Sequence, residues 1–355
     1  MTEEAVYRAL AQTLDALPHG FPPTESGVEL ALLAKLFTPE EAALAAVMTP
    51  GHDSPDRIAA RASVDPDVAV QRLEAMARKG LIRWRRGKTR SRFGLLPFIV
   101  GFYELQLPRM DAELAALTER YFRESDGALL RAEPAFHRVI PVGEAVAFGL
   151  QIAPHDEAAA LLSEAQAWAV RDCICRKQQA MVGQDCDYPL ESCLSFAPVS
   201  GAFDDDPAAR VIPKNEALQI LYEAEAAGLV HTVGNYREGH FYICNCCTCC
   251  CGILRGVAEF DIPTAIAHSS FRAAVDAAAC VGCGACIARC QFGALSVVED
   301  LARVDPVRCV GCGVCAQVCP TDALALLPRP EAEAPLLPAD HTAWMAQRRT
   351  NRTPE

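Results

Sequence analysis

The sequence predicts an α+β protein of several domains, and three observations lead to this prediction. The chain has 355 residues, enough for two or three domains of about 100–200 residues each. Its 18 cysteines all lie between Cys173 and Cys319, so the first half of the chain folds without thiols. A run of four cysteines that begins at Cys280 recurs from Cys309. We therefore expect a helical N-terminal domain, a central cysteine-rich α+β domain and a small C-terminal domain built on the repeat.

Composition and the start of the chain bear on the cellular compartment. Apolar residues make up 51% of the chain and charged residues 22%, which is typical of a folded globular protein. The acidic start at Glu3 and Glu4 lacks the basic and apolar regions of a secretory signal, and no apolar run approaches the ~18–20 residues that span a bilayer. We expect a cytoplasmic protein, in which clustered cysteines bind metal more often than they form disulfides.

The N-terminal domain, predicted over residues 1–127, begins with short amphipathic helices. The spacing of apolar residues predicts helices over Glu3–Leu17, Gly27–Leu36 and Pro39–Val47. Two further helical segments, Phe98–Leu107 and Arg109–Arg123, are predicted to complete the domain.

Between these helices lies a pattern of helix, turn, helix and β-ribbon. Ser54-Pro55 and Asp65-Pro66 each begin a helix, and strands are predicted over Leu81–Arg85 and Arg92–Leu96. Over residues 54–97 this order resembles a winged helix.

The predicted ribbon carries the strongest basic patch of the chain. Its eight basic residues are Arg78, Lys79, Arg83, Arg85, Arg86, Lys88, Arg90 and Arg92. Such a patch could contact DNA phosphates, dock an acidic partner, or simply face solvent. Asp65, Asp67 and Glu74 lie on the helix that would read the bases, where they would repel phosphates. We therefore do not expect DNA binding.

The C-terminal repeat is the most specific pattern in the chain. The first run is Cys280, Cys283, Cys286 and Cys290, and the second is Cys309, Cys312, Cys315 and Cys319. The spacing C-x2-C-x2-C-x3-C allows a tightly curled loop to present three thiolates to one cluster. Glycines inside both runs, Gly282, Gly284, Gly311 and Gly313, permit that curl.

This pattern closely resembles the bacterial-type ferredoxin with two [4Fe–4S] clusters over residues 275–327, and we place the domain at 266–327. In that family the fourth thiolate of each run binds the other cluster. The resemblance implies the ligand set Cys280, Cys283, Cys286 and Cys319 for one cluster, and Cys309, Cys312, Cys315 and Cys290 for the other. Gln291 departs from the family, which has proline there. Zinc is a much weaker alternative, because both runs are complete.

Ten further cysteines lie in the central domain, predicted over residues 128–265. They are Cys173, Cys175, Cys186, Cys193, Cys244, Cys246, Cys247, Cys249, Cys250 and Cys251. We predict a strand over Ala167–Cys173, a helix over Lys214–Ala227, and a hairpin of Leu229–Val233 with His240–Ile243. Adjacent cysteines point in opposite directions on a strand but can share a site in a turn.

We expect these ten thiols to bind one or two further Fe–S clusters, with zinc or a metal-free dithiol pair as alternatives. His231 and His240 flank the block and could be ligands. Together, the winged-helix-like start, the two cysteine segments and the C-terminal repeat resemble a group of poorly characterised cytoplasmic ferredoxin-type iron–sulfur proteins, which implies a redox-linked role.

The prolines of residues 328–355 predict an extended tail on the surface, anchored by Trp344, in which Arg348, Arg349 and Arg352 face solvent.

Electron transfer to or from a partner redox enzyme, such as a flavoprotein or reductase, is the function that these features favour. The net charge of −12 suits docking to a basic surface. A stand-alone reductase is the first alternative, with a catalytic central site at which Arg176 and Lys177 attract an anionic substrate. A redox-sensing DNA-binding regulator is the weaker alternative. No glycine-rich nucleotide-binding motif supports a nicotinamide site.

Overall fold

The structure is a computed structural model that describes residues 2–87 and 91–352, and the chain forms two compact units. Unit 1 runs to Ala132 and adds two short segments, one from Gln178 to Gly183 and one from Arg348 onward. Unit 2 comprises Glu133–Lys177 and Gln184–Gln347. The finer division into four segments stays a prediction. None of the described helices is both long and apolar enough to cross a lipid bilayer.

Unit 1 contains six regular helices within its described residues. They are α1 (Glu3–Asp15), α2 (Val28–Leu36), α3 (Pro39–Ala45), α4 (Pro55–Ala62), α5 (Pro66–Arg78) and α6 (Ala112–Glu124). Their starts follow the local sequence. Thr38 accepts a hydrogen bond from the Glu41 N–H, and the Glu41 carboxylate accepts one from the Thr38 N–H, at 3.2 and 3.0 Å. Proline occupies the first turn of α3, α4 and α5, where its missing N–H is not needed.

Helices α4 and α5 precede an antiparallel pair of strands, β1 (Ile82–Arg85) and β2 (Arg92–Leu95). The predicted order of helix, helix and ribbon is therefore present, and its assignment as a winged helix stays a prediction. The prediction of one regular helix over residues 98–107 is wrong. Ile99 has extended backbone angles (φ −109°, ψ 155°) and the following segment Glu104–Arg109 is a 3-10 helix. Gly101 and Pro108 disfavour a continuous α-helix there.

Several side chains of the basic patch have partners within unit 1. Lys79 bonds the buried Glu41 carboxylate at 2.8 Å, Arg78 pairs with Glu74 at 2.7 Å, and Arg92 donates to the His52 carbonyl at 3.2 Å. Lys88 and Arg90 lie outside the described residues. These partners reduce the charge that the patch could offer to phosphates, and the expectation against DNA binding stays a prediction.

A seven-stranded sheet organises the first part of unit 2. Its strands are β3 (His137–Ile140), β4 (Ala167–Asp172), β5 (Glu191–Ala197), β6 (Arg210–Ile212), β7 (Val230–Gly234), β8 (Tyr242–Cys246) and β9 (Ile266–Ala267), in the order β6-β4-β5-β8-β7-β3-β9. All neighbours are antiparallel except β3 and β9. The hairpin expected before the cysteine block is confirmed as β7 and β8.

Four helices accompany this sheet: α7 (Ala158–Ser163), α8 (Ile174–Met181), α9 (Lys214–Ala227) and α10 (Gly252–Ala258). Helix α9 has the predicted bounds, and its Ala217 and Leu221 join Val170 and Leu194 of the sheet in one apolar core. Helix α8 is not among the helices that the sequence predicts.

The cysteine repeat folds as two matching halves. Strand β10 (Phe271–Val275) precedes the first run, which continues through α11 (Ala285–Arg289) into β11 (Leu295–Val298). Strand β12 (Leu301–Val304) precedes the second run, which ends in β13 (Leu324–Pro328). Strand β10 pairs with β13, and β11 pairs with β12. The repeat in the sequence is therefore also a repeat in the structure.

The expectation of an extended tail over residues 328–355 is wrong for its second half, because α12 (His341–Arg352) is a helix. No proline interrupts this stretch, and Asp340 accepts a hydrogen bond from the Ala343 N–H at 2.8 Å. Trp344 is buried as expected and donates to the Ala135 carbonyl at 2.9 Å.

Two of the three arginines of α12, Arg348 and Arg352, also differ from the expectation of solvated side chains, whereas Arg349 is exposed as expected. Arg348 is 0% exposed and donates to the carbonyls of Pro18 at 2.9 Å and Leu129 at 2.6 Å. Arg352 pairs with Asp15 at 2.8 Å. The acceptors of Arg348 are backbone carbonyls, which every residue has. The sequence therefore does not predict this anchoring.

Candidate metal centres

Two cavities lie within the cysteine repeat, and each is lined by four cysteines. The first has about 320 Å³ of space, open in part to solvent, and the second about 340 Å³. Cys280, Cys283, Cys286 and Cys319 line the first cavity, and Cys309, Cys312, Cys315 and Cys290 line the second. The fourth cysteine of each run thus faces the cavity of the other run. These sets coincide with the two ligand sets that the ferredoxin resemblance implies, and their role as ligands stays a prediction.

The loops around both cavities depend on glycine. Gly282 and Gly311 have positive φ angles of 64° and 75°, which residues with a side chain rarely adopt. A Cβ atom at Gly282 would lie 2.4 Å from the Asp300 carbonyl oxygen, and one at Gly311 would lie 2.0 Å from that of Phe271. The glycines therefore allow the curled loops to pack against neighbouring backbone.

The walls of the cavities combine apolar side chains with N–H groups that donate to sulfur. Backbone N–H groups donate to Cys280 from Ala302 at 3.4 Å, to Cys290 from Ala294 at 3.4 Å, and to Cys319 from Ala323 at 3.2 Å. Burial would raise the pKa of the Cys319 thiol, but hydrogen bonds from such donors lower it below its usual value. Burial raises the pKa of Cys312 to about 12. A bound metal would stabilise the thiolate that burial disfavours.

The comparison with known families agrees with this geometry. A family model of the 4Fe-4S dicluster domain matches residues 279–323. This part of the chain is a ferredoxin-type module. No curated protein and no solved structure gives a significant match to the chain. We refer to residues 271–328 as the ferredoxin-type module below.

The ten central cysteines divide into two groups, and none of them forms a disulfide. In the first group, which we call the six-thiol ring, contacts between thiols run from each member to the next. Its members, in order of contact, are Cys173, Cys175, Cys251, Cys246, Cys244 and Cys193. An electrostatic interaction between Cys193 and Cys173 closes the ring. Cys173 directly follows β4, Cys175 lies in the first turn of α8, Cys193 lies on β5, Cys244 and Cys246 lie on β8, and Cys251 precedes α10.

The second group, which we call the four-thiol site, is much more compact. It consists of Cys186, Cys247, Cys249 and Cys250, and its sulfur atoms all lie within 4.8 Å of one another. The Sγ atom of Cys250 lies 3.4 Å from that of Cys186 and 3.7 Å from that of Cys249. Among the described residues, this is the one group of possible metal ligands that converges so closely.

The local backbone explains the division. Cys244 and Cys246 are two residues apart on β8, so they share a face of the sheet and join the ring. After the strand ends, Cys247, Cys249 and Cys250 form a turn and bring their thiols together at the second site. Cys251 then caps α10 and returns to the ring. The sequence argument that strand neighbours separate and turn neighbours can meet is therefore confirmed.

One buried arginine lies between the two groups. Arg176 is 4% exposed and donates to the carbonyls of Pro189 and Asn245 and to the Ser192 hydroxyl, each at 2.6 Å. Its guanidinium also interacts with Cys173 of the ring and with Cys247 of the four-thiol site. Burial alone would lower the pKa of Arg176, but these thiols hold it above its usual value.

Each group contains one thiol that ionises more readily than the rest. Hydrogen bonds from Cys244 and Cys251 lower the pKa of Cys246 to about 6. Hydrogen bonds from Cys249 and Cys250, together with Arg176, lower the pKa of Cys247 well below its usual value. Thiolates are the form of cysteine that binds metal. In each group, the contacts of one thiol therefore favour its thiolate form.

The two histidines that flank the cysteine block are not in either group. His231 is buried, and its ring nitrogens contact the side chains of Asn245 and, at 2.9 Å, Glu225. The ring of His240 stacks on Tyr236 with 4.9 Å between centroids. Their suggested role as ligands has no support in these contacts.

Two residues next to Cys290 join the ferredoxin-type module to the central sheet region, and no sequence pattern indicates this role. The Gln291 side chain accepts a hydrogen bond from the Thr248 N–H at 2.8 Å and donates to the Gly228 carbonyl. Arg289 donates to the Ala227 carbonyl at 2.9 Å and to two more carbonyls at the end of α9. Proline could make neither of the bonds of Gln291. The departure from the ferredoxin pattern therefore has a structural reason.

Proposed function

We propose that this chain is an iron–sulfur electron-transfer protein. The eight cysteines around the two cavities of the ferredoxin-type module would hold two [4Fe–4S] clusters, and the six-thiol ring would hold a further cluster. When bound, such clusters supply one-electron redox chemistry at low potential. The protein would exchange these electrons with a partner redox enzyme.

The cavities of the module fit the proposed clusters in their donors and their surroundings. Each presents four thiols, and each set includes one thiol from the other run. Cys286 and Cys315 interact with each other although they line different cavities, so the two sets are neighbours. N–H groups at Cys280, Cys290 and Cys319 would stabilise negative charge on the cluster ligands.

The observation that carries the proposal is the link between the module and the central thiols. Cys290 lines the second cavity, and Gln291 next to it bonds the backbone of Thr248, which lies between Cys247 and Cys249. The bonds of Arg289 to the end of α9 hold the same segment from the other side. The side chain of Gln291 and one hydrogen bond therefore connect the backbone next to Cys290 with that of the central cysteine block. Such proximity supports electron exchange between the two regions.

Arg176 supports a carrier rather than a stand-alone reductase. An arginine that binds an anionic substrate needs N–H groups directed to that substrate. Here the guanidinium donates to Pro189, Ser192 and Asn245 and interacts with thiols of both central groups. Its charge therefore offsets thiolate charge inside the protein.

The net charge of −12 supports a partner with a basic docking surface, for which a flavoprotein or reductase in the cytoplasm is the proposed type. Electrostatic complementarity of this kind mainly raises the association rate and weakens with salt.

The test is a count of metal and electrons in the anaerobically purified full chain. We expect about eight irons and eight sulfides from the module, plus about four of each for every cluster in the ring. Titration with a low-potential viologen should then show uptake of one electron per cluster. A chain without iron and sulfide in the module would contradict the whole proposal. About eight irons and two electrons would restrict it to the module.

A pair of matched variants tests which thiol group holds the cluster that accepts the third electron. Cys244→Ala removes a thiol of the ring, and Cys249→Ala removes a thiol of the four-thiol site a few residues away. We expect only Cys244→Ala to abolish the third reduction step. If both variants retain that step, the ring does not hold the further cluster.

A further inference from the structure

We propose that the four-thiol site binds a single tetrahedral metal ion, with zinc as the expected occupant, and that it does not hold an iron–sulfur cluster. This inference does not depend on the electron-transfer proposal. It assigns four of the ten central cysteines, Cys186, Cys247, Cys249 and Cys250, to a structural role.

The distances between sulfur atoms support one ion. Four thiolates at about 2.3 Å from a tetrahedral ion lie about 3.8 Å from one another. In the structure the Cys250 sulfur lies 3.4 and 3.7 Å from two of its neighbours, and all four sulfurs lie within 4.8 Å. In a [4Fe–4S] cluster each thiolate binds a different iron at a corner of the cube, so its ligands lie farther apart. The four-thiol site has no room for that cube between its sulfurs.

The surroundings of the site contrast with the cavities of the ferredoxin-type module. There the cysteines line cavities that are partly open to solvent. Here Cys247 and Cys250 are buried and pack with Ala224 and Leu229, and the partly buried Tyr188 packs against this cluster. Four thiols leave no open coordination position, which is typical of structural zinc sites.

The charge of the site also suits a zinc ion. Four thiolates around Zn²⁺ give a net charge of −2, and the Arg176 guanidinium interacts with Cys247. The remaining negative charge is offset further by hydrogen bonds from peptide N–H groups in such sites. Soft thiolate ligands select zinc or iron over magnesium and calcium.

The ion would connect the loop before β5 with the turn after β8, in addition to the pairing of these two strands in the sheet. Cys186 lies in the loop between α8 and β5, and the other three thiols lie in the turn after β8. Thr248 in that turn is the residue that Gln291 of the module binds. A metal ion at this point would therefore fix both the loop and the turn on which the module is held.

The first experiment measures zinc, iron and sulfide in the anaerobically purified full chain and in two variants. Cys249→Ala should lose about one zinc per chain without loss of iron or sulfide. Cys193→Ala, in the six-thiol ring, is the matched control and should retain zinc. Loss of about four irons with their sulfide from Cys249→Ala would overturn the proposal, and so would an unchanged content of all three.

The second experiment needs no variant, so it remains valid if a cysteine substitution prevents folding. X-ray absorption at the zinc edge of the wild-type chain should show four sulfur neighbours at about 2.3 Å and no metal neighbour. Chains produced with cobalt should show the visible absorption of a tetrahedral thiolate site. Zinc with oxygen or nitrogen neighbours, or no zinc at all, would overturn the proposal. Mononuclear iron in its place would confirm the single-ion site and contradict zinc as its occupant.

Discussion

The ferredoxin-type module and the central domain both concentrate cysteines, but they arrange them in opposite ways. In the module, thiols that are regularly spaced in the sequence surround two open cavities, and each set combines both runs. In the central domain, thiols that are adjacent in the sequence are sorted into the six-thiol ring and the four-thiol site. The module therefore has space at the centre of each set, whereas the four-thiol site has sulfur atoms almost in contact.

This difference shows that the number of cysteines does not determine the kind of site. The glycines of the module let its loops curl around a large space, as at Gly282 and Gly311. In the central block the strand β8 directs Cys244 and Cys246 to one group, and the turn that follows directs its thiols to another. Backbone conformation, more than composition, decides whether the thiols surround an open cavity or converge on one point.

The largest effect should come from substitution of the fourth cysteine of a run in the module. We call the two cysteine sets crossed, because each cavity is lined by three cysteines of one run and the fourth cysteine of the other. Cys290 belongs to the first run in the sequence but lines the second cavity. We expect Cys290→Ala to lose about four irons and the same cluster signal in electron paramagnetic resonance as Cys312→Ala. Cys319→Ala should instead affect the same signal as Cys283→Ala. If Cys290→Ala and Cys283→Ala lose the same signal, the two sets are not crossed.

The next effect concerns Arg176, whose guanidinium interacts with thiols of both central groups. Arg176→Met removes three hydrogen bonds from a buried guanidinium and should lower the free energy of unfolding by about 3 kcal/mol. It should also reduce the metal content of both central groups, while the iron of the module is retained. Denaturant titration and metal analysis of the same sample measure the two effects.

Arg171→Met is the matched control for this prediction. Arg171 pairs with Asp206 and with Ser195, and these bonds join neither thiol group. This variant should be destabilised without loss of metal. Equal metal loss in both variants would mean that the effect of Arg176 is only through folding.

The sequence predicted the module better than the central domain for physical reasons. In the module the ligand pattern and the local conformation are encoded together, because the glycines that permit the curl stand between the cysteines. In the central domain, Cys186 meets Cys250 across 64 residues, and no local pattern specifies that contact. The roles of Arg176, Arg289 and Gln291 rest on bonds to backbone carbonyls or N–H groups, which any sequence could supply. The helix α12 is not predicted because prolines precede and follow it, and these prolines indicate an extended tail although none lies within the helix itself.

Acid should weaken the central domain through His137, which lies on β3 of the sheet. Burial lowers the pKa of His137 to about 3, from an ordinary value of 6.5. As the pH falls below about 6.5, the unfolded chain takes up a proton that the folded chain does not bind. The free energy of unfolding should therefore fall by about 2 kcal/mol between pH 7 and pH 5 from this group alone.

His137→Gln isolates that contribution. Glutamine can retain the hydrogen bond to the Tyr242 hydroxyl, which lies 2.8 Å from the His137 ring, but it does not titrate. Urea denaturation at pH 7 and pH 5 should show a smaller acid effect in the variant than in the wild type. His240 and His268, whose pKa values burial also lowers to about 4, are present in both chains and cancel in the difference. The same acid effect in both chains would contradict the prediction.

The smallest expected effect tests the link between the two regions. Gln291→Pro restores the residue typical of ferredoxins, and the module should keep its iron because no cysteine changes. The variant loses the bonds to Thr248 and Gly228, which should lower the free energy of unfolding by about 1 kcal/mol. The Thr248 amide should also exchange its hydrogen faster, because its acceptor is gone.

Gln291→Glu separates the two bonds of this side chain. A carboxylate still accepts from the Thr248 N–H but cannot donate to the Gly228 carbonyl, so slow exchange at Thr248 should persist in this variant. If exchange is equally fast in both variants, the Gly228 bond holds the segment and the Thr248 bond follows from it. If exchange is slow in both, the turn is held by its own thiol site, and the module and the central domain are less closely connected than the contact at Gln291 implies.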